Sequence, residues 1–317
     1  MSDIVVLPVS MHGMTSQTFF EEITERLPSY DIEYAESPAV QRSVIEDATV
    51  VMGGRFPDEL LERATDLELF ACCWAGVDHL NLDAMAERDI AVTNASGVHG
   101  PNIAGHVMGW FLMLTHRLDE GIRRQERNEW RHFQALGELD GSRVCVVGMG
   151  AIGEAIVERL SGFDVETVGI RYSPEKGGPT DEVYGFEDIP DALAGVDYVA
   201  IAAPLTEATR GLFDREAFKT LPPDAILVNV GRGPIVDTDD LVRALQSGHI
   251  HAAGLDVTDP EPLPGDHPLW DLGNAYITPH NAGYTPYYWE RLADILVRNL
   301  EQVEETGSFT DLENQVL

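Results

Sequence analysis

The chain has 317 residues, 44% of them apolar, enough for two packed domains with separate cores. Fifty-four Asp and Glu stand against 21 Lys and Arg, a formal charge of −33, and Lys176 and Lys219 are the only lysines. That balance argues against nucleic acid as a partner, since phosphate binding needs clustered bases. The longest mainly apolar run, residues 107–116, is too short to cross a bilayer.

The acids are spread along the whole chain and form no single tail, so the composition predicts a protein adapted to a high-salt cytoplasm. At molar salt the Debye length falls to about 3 Å and screens the self-repulsion. The opening "MSDIVVLPVS" has no basic leader segment, which is consistent with a soluble cytoplasmic protein. Cys72, Cys73 and Cys145 are an odd number without metal-ligand spacing, so free thiols and no bound metal are expected.

In chain order, "IVVLPV", "IEYA", "ATVVMG", "LELFACC" and "IAVTN" are strand candidates between helix-like segments such as "TSQTFFEEITERL". This alternation predicts an α/β unit with a parallel sheet. A long helical segment, "GPNIAGHVMGWFLMLTHRL", follows, with Pro101 in its first turn. The alternation restarts with "RVCVVG", "VETVGI", "DYVAIAA", "AILVNV", "AAGLDV" and "AYITP". The last helical segment, "PYYWERLADILVRNLEQVEETG", is long enough to return to the first domain. The fold expected is therefore α/β, two Rossmann-like domains, each a doubly wound parallel sheet. Residues 1–98 with 287–317 form a discontinuous substrate domain, and 99–286 form a dinucleotide-binding domain.

Gly148, Gly150 and Gly153 in "VVGMGAIGEAIVERL" fall at a strand-to-helix turn, the context that makes G-x-G-x-x-G specific. The first glycine permits the turn, the second lets backbone approach a pyrophosphate, and the third allows close helix packing. About twenty residues on, where an acid would accept from ribose hydroxyls, the chain has Arg171, followed by Tyr172 and Ser173. A guanidinium suits a 2′-phosphate, so NADP(H) is expected over NAD(H).

Arg232, Glu261 and His280 each lie a few residues beyond a strand candidate, where ligands of doubly wound sheets bind. Carbonyl reduction needs an acid, a group that orients it and a cation for a substrate carboxylate, and these three residue types meet that need.

With "GMGAIG", "APLTEATRGL", "LVNVGRGPIVD", "GLDVTDPEPL" and "TPHNAG" in this order and spacing, the chain resembles the D-isomer-specific 2-hydroxyacid dehydrogenases, which include glyoxylate and hydroxypyruvate reductases. The resemblance covers nearly the whole chain. It implies an active site in the cleft between two Rossmann-like domains, a small 2-ketoacid or 2-hydroxyacid substrate, and a homodimer formed through the cofactor domain. It implies that His280 is the general acid and base, Glu261 its partner, and Arg232 the carboxylate anchor. "CWAGVDHL" looks like the family's substrate loop, with backbone N–H groups near Ala75, Gly76 and Val77 on the carboxylate. Val230 and Asp256 match positions toward the nicotinamide, and Gly231 and Gly283 match further cofactor-binding positions. Ala151, Ile152, Ala203, Pro204, Thr206 and Thr209 match cofactor-lining positions.

Three departures bear on specificity. Ala202 replaces a common histidine, which leaves room near the adenosine phosphate. Gly105 replaces the acid of an "E-H" pair before His106. His99 stands where formate dehydrogenases carry asparagine, which counts against formate, and the absence of a regulatory domain after Leu317 counts against the longer phosphoglycerate dehydrogenases. A cofactor-sensing protein of the corepressor type is the competing reading on the same fold; NADPH consumption with 2-ketoacids discriminates the two.

Overall fold

The computed structural model describes residues 3–132 and 137–317. Two units emerge, Met1–Val98 with Thr285–Leu317, and His99–Tyr284.

In the first unit the apolar runs become short parallel strands, β1 (Ile4–Val6), then β4 (Ile32–Tyr34), β5 (Val50–Gly53), β6 (Leu69–Cys72) and β7 (Ala91–Thr93), in the order β4-β1-β5-β6-β7. A small antiparallel hairpin, β2 (Ser10–Met11) and β3 (Met14–Thr15), stands apart from this sheet. Because side chains alternate along a strand, Ile4, Val6, Met52 and Leu69 face one core with Phe19, Ile23, Trp289 and Leu292. Those partners come from helices α1 (Gln17–Arg26) and α11 (Tyr288–Thr306). Val5, Val51 and Phe70 face the other core, with Leu60 and Leu61 of α3 (Asp58–Arg63) and Met85 of α4 (Leu82–Ala86). The short α2 (Pro38–Val44) begins where Ser37 accepts from the Val40 N–H and Pro38 needs no partner. Full burial of one such large side chain stabilises by roughly 1.5–3 kcal/mol, which is why both faces hold.

The second unit carries seven parallel strands in the order β10-β9-β8-β11-β12-β13-β14. They are β8 (Arg143–Val147), β9 (Glu166–Ile170), β10 (Glu182–Tyr184), β11 (Tyr198–Ile201), β12 (Ile226–Asn229), β13 (Ala252–Leu255) and β14 (Ala275–Ile277). Val144, Val146, Ala200 and Val228 pack against α5 (Gly100–Thr115) and α7 (Ala151–Leu160). Cys145, Val147, Val199 and Leu227 pack on the opposite layer, with α8 (Ile189–Ala192), α9 (Arg215–Thr220) and α10 (Thr238–Ser247). The expectation of two Rossmann-like α/β units with parallel sheets is met.

Two details depart from the sequence reading. The long helical segment after residue 99 is two helices, because Arg117 takes a left-handed φ of 52° between α5 and α6 (Leu118–Glu126). The return crossing lies at Thr285, two residues earlier than expected. Asn102 Nδ2 donates to the carbonyls of Ala282 and Tyr284 at 2.6 and 2.8 Å, whereas the Thr285 N–H donates to His12 at 3.3 Å within the first unit.

Among the described residues only Asp119 and Asp256 are buried carboxylates, so the negative charge lies on the surface. All three cysteines are buried, and burial pushes the Cys145 thiol up to about 12. Among the described residues no helix is long and apolar enough to cross a membrane.

Candidate active site

The strand order reverses between β8 and β11, and the loops leaving these two strands line a cavity of about 820 Å³. The glycine turn forms one wall. Gly148 holds φ +95°, and a Cβ there would lie 2.6 Å from the backbone of Ala203. A Cβ at Gly153 would lie 1.9 Å from the Gly148 carbonyl oxygen, so this residue lets α7 start directly behind the strand. At Gly150 an added Cβ would meet no protein atom within 4 Å. Its bareness thus serves no internal packing and leaves open backbone at the N-terminus of α7, where the first N–H groups have no helical acceptor. This cradle fits the pyrophosphate of a dinucleotide.

The cavity gathers Gly148, Gly150, Arg171, Tyr172, Ser173, Ala203, Pro204, Thr206 and Thr209 from the predicted set. Ala202 also lines it. Thr209 is buried, and its hydroxyl donates to the Pro204 carbonyl at 2.7 Å and accepts from the Thr206 N–H at 2.8 Å, so it shapes the turn. Arg171 Nη1 donates to the Gly177 carbonyl at 2.5 Å, which ties the following loop to the end of β9. The same wall carries Lys176, and the opposite one Glu207. Sequence reasoning passed over Lys176, although its being one of two lysines in so acidic a chain was the available signal.

A second cavity, of about 590 Å³, joins the loops after β13 and β14 and brings together Asp256, Glu261 and His280. His280 Nδ1 lies 2.5 Å from Glu261 Oε1, both side chains being partly exposed, and this leaves Nε2 of the imidazole facing outward from the pair. His280 holds a left-handed φ of 51°, fixed by donation of its N–H to the Asp256 carbonyl at 2.8 Å. The Asp256 carboxylate is buried. Its Oδ1 accepts from Thr278 Oγ1 at 2.6 Å and from the Asn281 N–H at 3.0 Å, and its Oδ2 accepts from the Ala282 N–H at 2.9 Å. It thereby sets the course of the whole segment that carries His280. Beneath it, Trp110 Nε1 donates to His106 Nε2 at 2.8 Å, which requires the neutral imidazole at that nitrogen. Burial holds His106 below the ordinary histidine value, with Asp256 pulling the other way.

Arg232 stands after β12 between two sterically fixed glycines. A Cβ at Gly231 would lie 2.7 Å from the Ala203 carbonyl oxygen, and one at Gly233 would lie 1.9 Å from that of Thr258. Asn229 closes the turn, its Oδ1 accepting from the Gly231 N–H and its Nδ2 donating to the Arg232 carbonyl at 3.1 Å. The guanidinium is exposed, and Nη1 donates to the Gly231 carbonyl at 2.7 Å. Arg232, Ala151, Ile152, Gly153, Val230, Gly231 and Gly283 line neither cavity. Ala151, Ile152 and Gly153 lie in the first turn of α7, Val230 is buried, and the Gly283 carbonyl lies 2.9 Å from His99 Nδ1.

In the first unit, Ala75, Gly76 and Val77 form a turn after β6, with Ala75 and Gly76 exposed. The turn is held at its base, where Asn94 Nδ2 donates to the Ala75 carbonyl at 2.8 Å.

The family model for D-isomer specific 2-hydroxyacid dehydrogenase, NAD binding domain, matches residues 108–282. A glyoxylate reductase of Pyrococcus furiosus is 34% identical over 305 residues, 93% of this chain and 89% of that one. A D-isomer specific 2-hydroxyacid dehydrogenase family protein of Aeromonas salmonicida is 31% identical, with a TM-score of 0.77 over 100% of this chain and 99% of that one. A D-isomer specific 2-hydroxyacid dehydrogenase from Xanthobacter autotrophicus, solved in complex with NADPH and MES, is 28% identical, with a TM-score of 0.76 over 100% and 98%. A family match over more than half of the sequence, on a fold and glycine turn that suit a dinucleotide, means that the chain belongs to the D-isomer specific 2-hydroxyacid dehydrogenase family, oxidoreductases acting on the CH–OH group of 2-hydroxy acids.

Proposed function

We propose that the protein is an NADP(H)-dependent reductase of small 2-ketoacids, running in reverse as a D-2-hydroxyacid dehydrogenase, in a high-salt cytoplasm. The observation that carries this reading is the His280–Glu261 pair, 2.5 Å apart beside a cavity, on the unit that also bears the dinucleotide cradle. A nicotinamide bound at this cradle would supply the hydride. His280 holds at Nε2 the proton that the developing alkoxide needs, and Glu261 on Nδ1 fixes the orientation of the ring. Arg232 presents a planar fork to the substrate carboxylate. The backbone N–H groups of Ala75, Gly76 and Val77 are the proposed donors of the first unit to that carboxylate. Purified enzyme should consume NADPH with a panel of 2-ketoacids that includes glyoxylate and hydroxypyruvate. No consumption of either NADPH or NADH with any member would overturn the reading in favour of a cofactor-sensing protein.

The NADP(H) preference rests on Arg171, supported by Lys176 on the same wall, neither having a carboxylate within 4.0 Å among the described residues. A hydrogen bond to a charged group is worth about 1.5–3 kcal/mol, so Arg171→Ala should cost NADPH roughly ten- to a hundredfold in kcat/KM and NADH far less. Arg171→Asp should lower the preference further, since a carboxylate repels the phosphate and accepts from ribose hydroxyls. Both cofactors are to be compared at one high salt concentration. Equal losses, or a wild-type preference for NADH, refute the assignment.

Salt adaptation is supported by the surface position of nearly all the acids. Dialysis from molar salt to about 0.1 M lengthens the Debye length from roughly 3 to 10 Å and restores self-repulsion. The melting temperature should therefore fall, and it should recover on adding KCl. A melting temperature unchanged across that range contradicts the proposal.

A further inference from the structure

Helix α5 carries a single ionisable side chain, His106, and it lies against the segment that bears His280. One side of the helix is given over to that segment. His99 at the N-cap, Asn102, His106 and Trp110 recur at intervals of three and four residues, so they share one face. His99 Nδ1 lies 2.9 Å from the Gly283 carbonyl, and Asn102 Nδ2 donates to the carbonyls of Ala282 and Tyr284 at 2.6 and 2.8 Å. His106 Nε2 lies 3.3 Å from Thr278 Oγ1. The segment 278–284 is thus tied to α5 at both ends, with His280 between the ties.

The protonation state of His106 decides how the middle of the segment is held. The Trp110 indole is only a donor, so its bond of 2.8 Å requires a lone pair on His106 Nε2 and puts the ring's proton on Nδ1. Thr278 donates its hydroxyl proton to Asp256 Oδ1 at 2.6 Å, and the same oxygen accepts from the Asn281 N–H beside His280. A proton added at Nε2 would meet the Trp110 N–H, donor against donor. It would also sit 4.0 Å from Asp256 Oδ1 and draw that carboxylate off the backbone donors that shape the loop. Burial opposes the added proton, with Asp256 pulling the other way. Behind Trp110 stands Tyr276 of β14, bonded to Asp119 and Arg123 of α6. Helix α7 and strand β12 meet an adjacent face of α5 with apolar side chains such as Ile156 and Val228. Asp256 is therefore the carboxylate that faces His106.

Resting on the reductase reading above, we infer that His106 is a positioning residue for the reaction: as a neutral acceptor it leaves Asp256 on the N–H groups of Asn281 and Ala282, and so keeps His280 aimed. It acts through Asp256 and not on the substrate. The consequence is a pH dependence that His280 alone does not give. A proton donor is lost as pH rises, which slows reduction on the alkaline side only. Protonation of His106 adds a loss on the acid side, below the ordinary histidine range because burial holds this imidazole down.

The test is kcat for glyoxylate reduction at saturating NADPH from about pH 8 to about pH 5, at one high salt concentration, in wild type, His106→Gln and His106→Leu. Wild-type kcat should fall toward acid by roughly fivefold or more. Leucine leaves the indole N–H without its acceptor, so His106→Leu should lose roughly tenfold in kcat at every pH, with KM for NADPH nearly unchanged. Glutamine offers Trp110 a carbonyl oxygen and takes up no proton, so His106→Gln should recover most of that loss and show no acid-side fall. Thermal melting across the range checks folding; if His106→Leu does not fold, wild type against His106→Gln carries the test. An acid-side fall of unchanged size in His106→Gln belongs to Glu261 or Asp256 and overturns the inference. So does a wild type whose kcat does not fall toward acid, or a folded His106→Leu with wild-type kcat. These outcomes leave the reductase reading standing, which fails only if wild type reduces no ketoacid with either cofactor.

Discussion

Replacing His280 by alanine is expected to lower kcat for 2-ketoacid reduction by roughly 10²–10⁴-fold, the range a positioned acid–base group contributes. The expectation follows from the division of labour on the imidazole. Nδ1 is held 2.5 Å from Glu261, and Nε2 is then the atom that can give up a proton to the alkoxide oxygen or take one from the hydroxyl in the reverse direction. Cofactor affinity should change little, since the glycine cradle and Arg171 belong to other loops of the same unit. His280→Asn is the better-controlled variant. The position has a φ of 51°, a left-handed conformation that asparagine tolerates and most residues resist, so the loop between Asp256 and Ala282 should keep its course while the proton donor is lost. Partial restoration of the rate by added imidazole would show that the missing element is the proton carrier. Turnover in either variant within a few-fold of wild type would end the assignment.

How far the molecule was readable before its structure can be judged from particular segments. The parallel strands were legible because they are buried on both faces, so Val144 to Val147 or Ile226 to Val228 appear as unbroken apolar runs. Strand β10, Glu182–Tyr184, was not, because it is a half-buried edge strand of three residues with no apolar run. The hairpin β2–β3 escaped because its strands are only two residues long, too short for an alternating pattern to show, and turn through His12 and Gly13, both at positive φ. The break at Arg117 was hidden by helical periodicity on both sides.

Within the candidate site, Glu261 and His280 lie 19 residues apart in sequence; their position after strands placed both at one edge of the sheet, and the family resemblance implied the pairing that the geometry gives. The network under His280 carried no such mark. Asp256 is held by the N–H groups of Asn281 and Ala282, 25 and 26 residues on, and backbone donors leave no trace in a sequence. Lys176 illustrates a different limit. A sequence displays which bases exist, but which of them lack an acid partner depends on the packing of their neighbours.

Removing the Arg232 guanidinium should be the second large effect, with Arg232→Ala lowering kcat/KM for the ketoacid by roughly 30- to 4,000-fold. That range is the 2–5 kcal/mol that truncating one partner of a hydrogen-bonded charge pair typically costs. The local structure makes the measurement clean. Gly231 and Gly233 are wedged against the Ala203 and Thr258 carbonyls, and Asn229 holds the turn from both sides, so the backbone path does not depend on the arginine side chain. The side chain is exposed and has no carboxylate within 4.0 Å among the described residues, so its loss strands no buried acid and the melting temperature should stay close to that of wild type. Arg232→Lys should fall between the two, because an ammonium keeps the charge but presents a point in place of a fork. Cofactor binding, measured without ketoacid, should be nearly the same in all three proteins. If Arg232→Ala leaves kcat/KM within twofold of wild type, the arginine serves only the turn through its bond to the Gly231 carbonyl, and the substrate carboxylate has another cation.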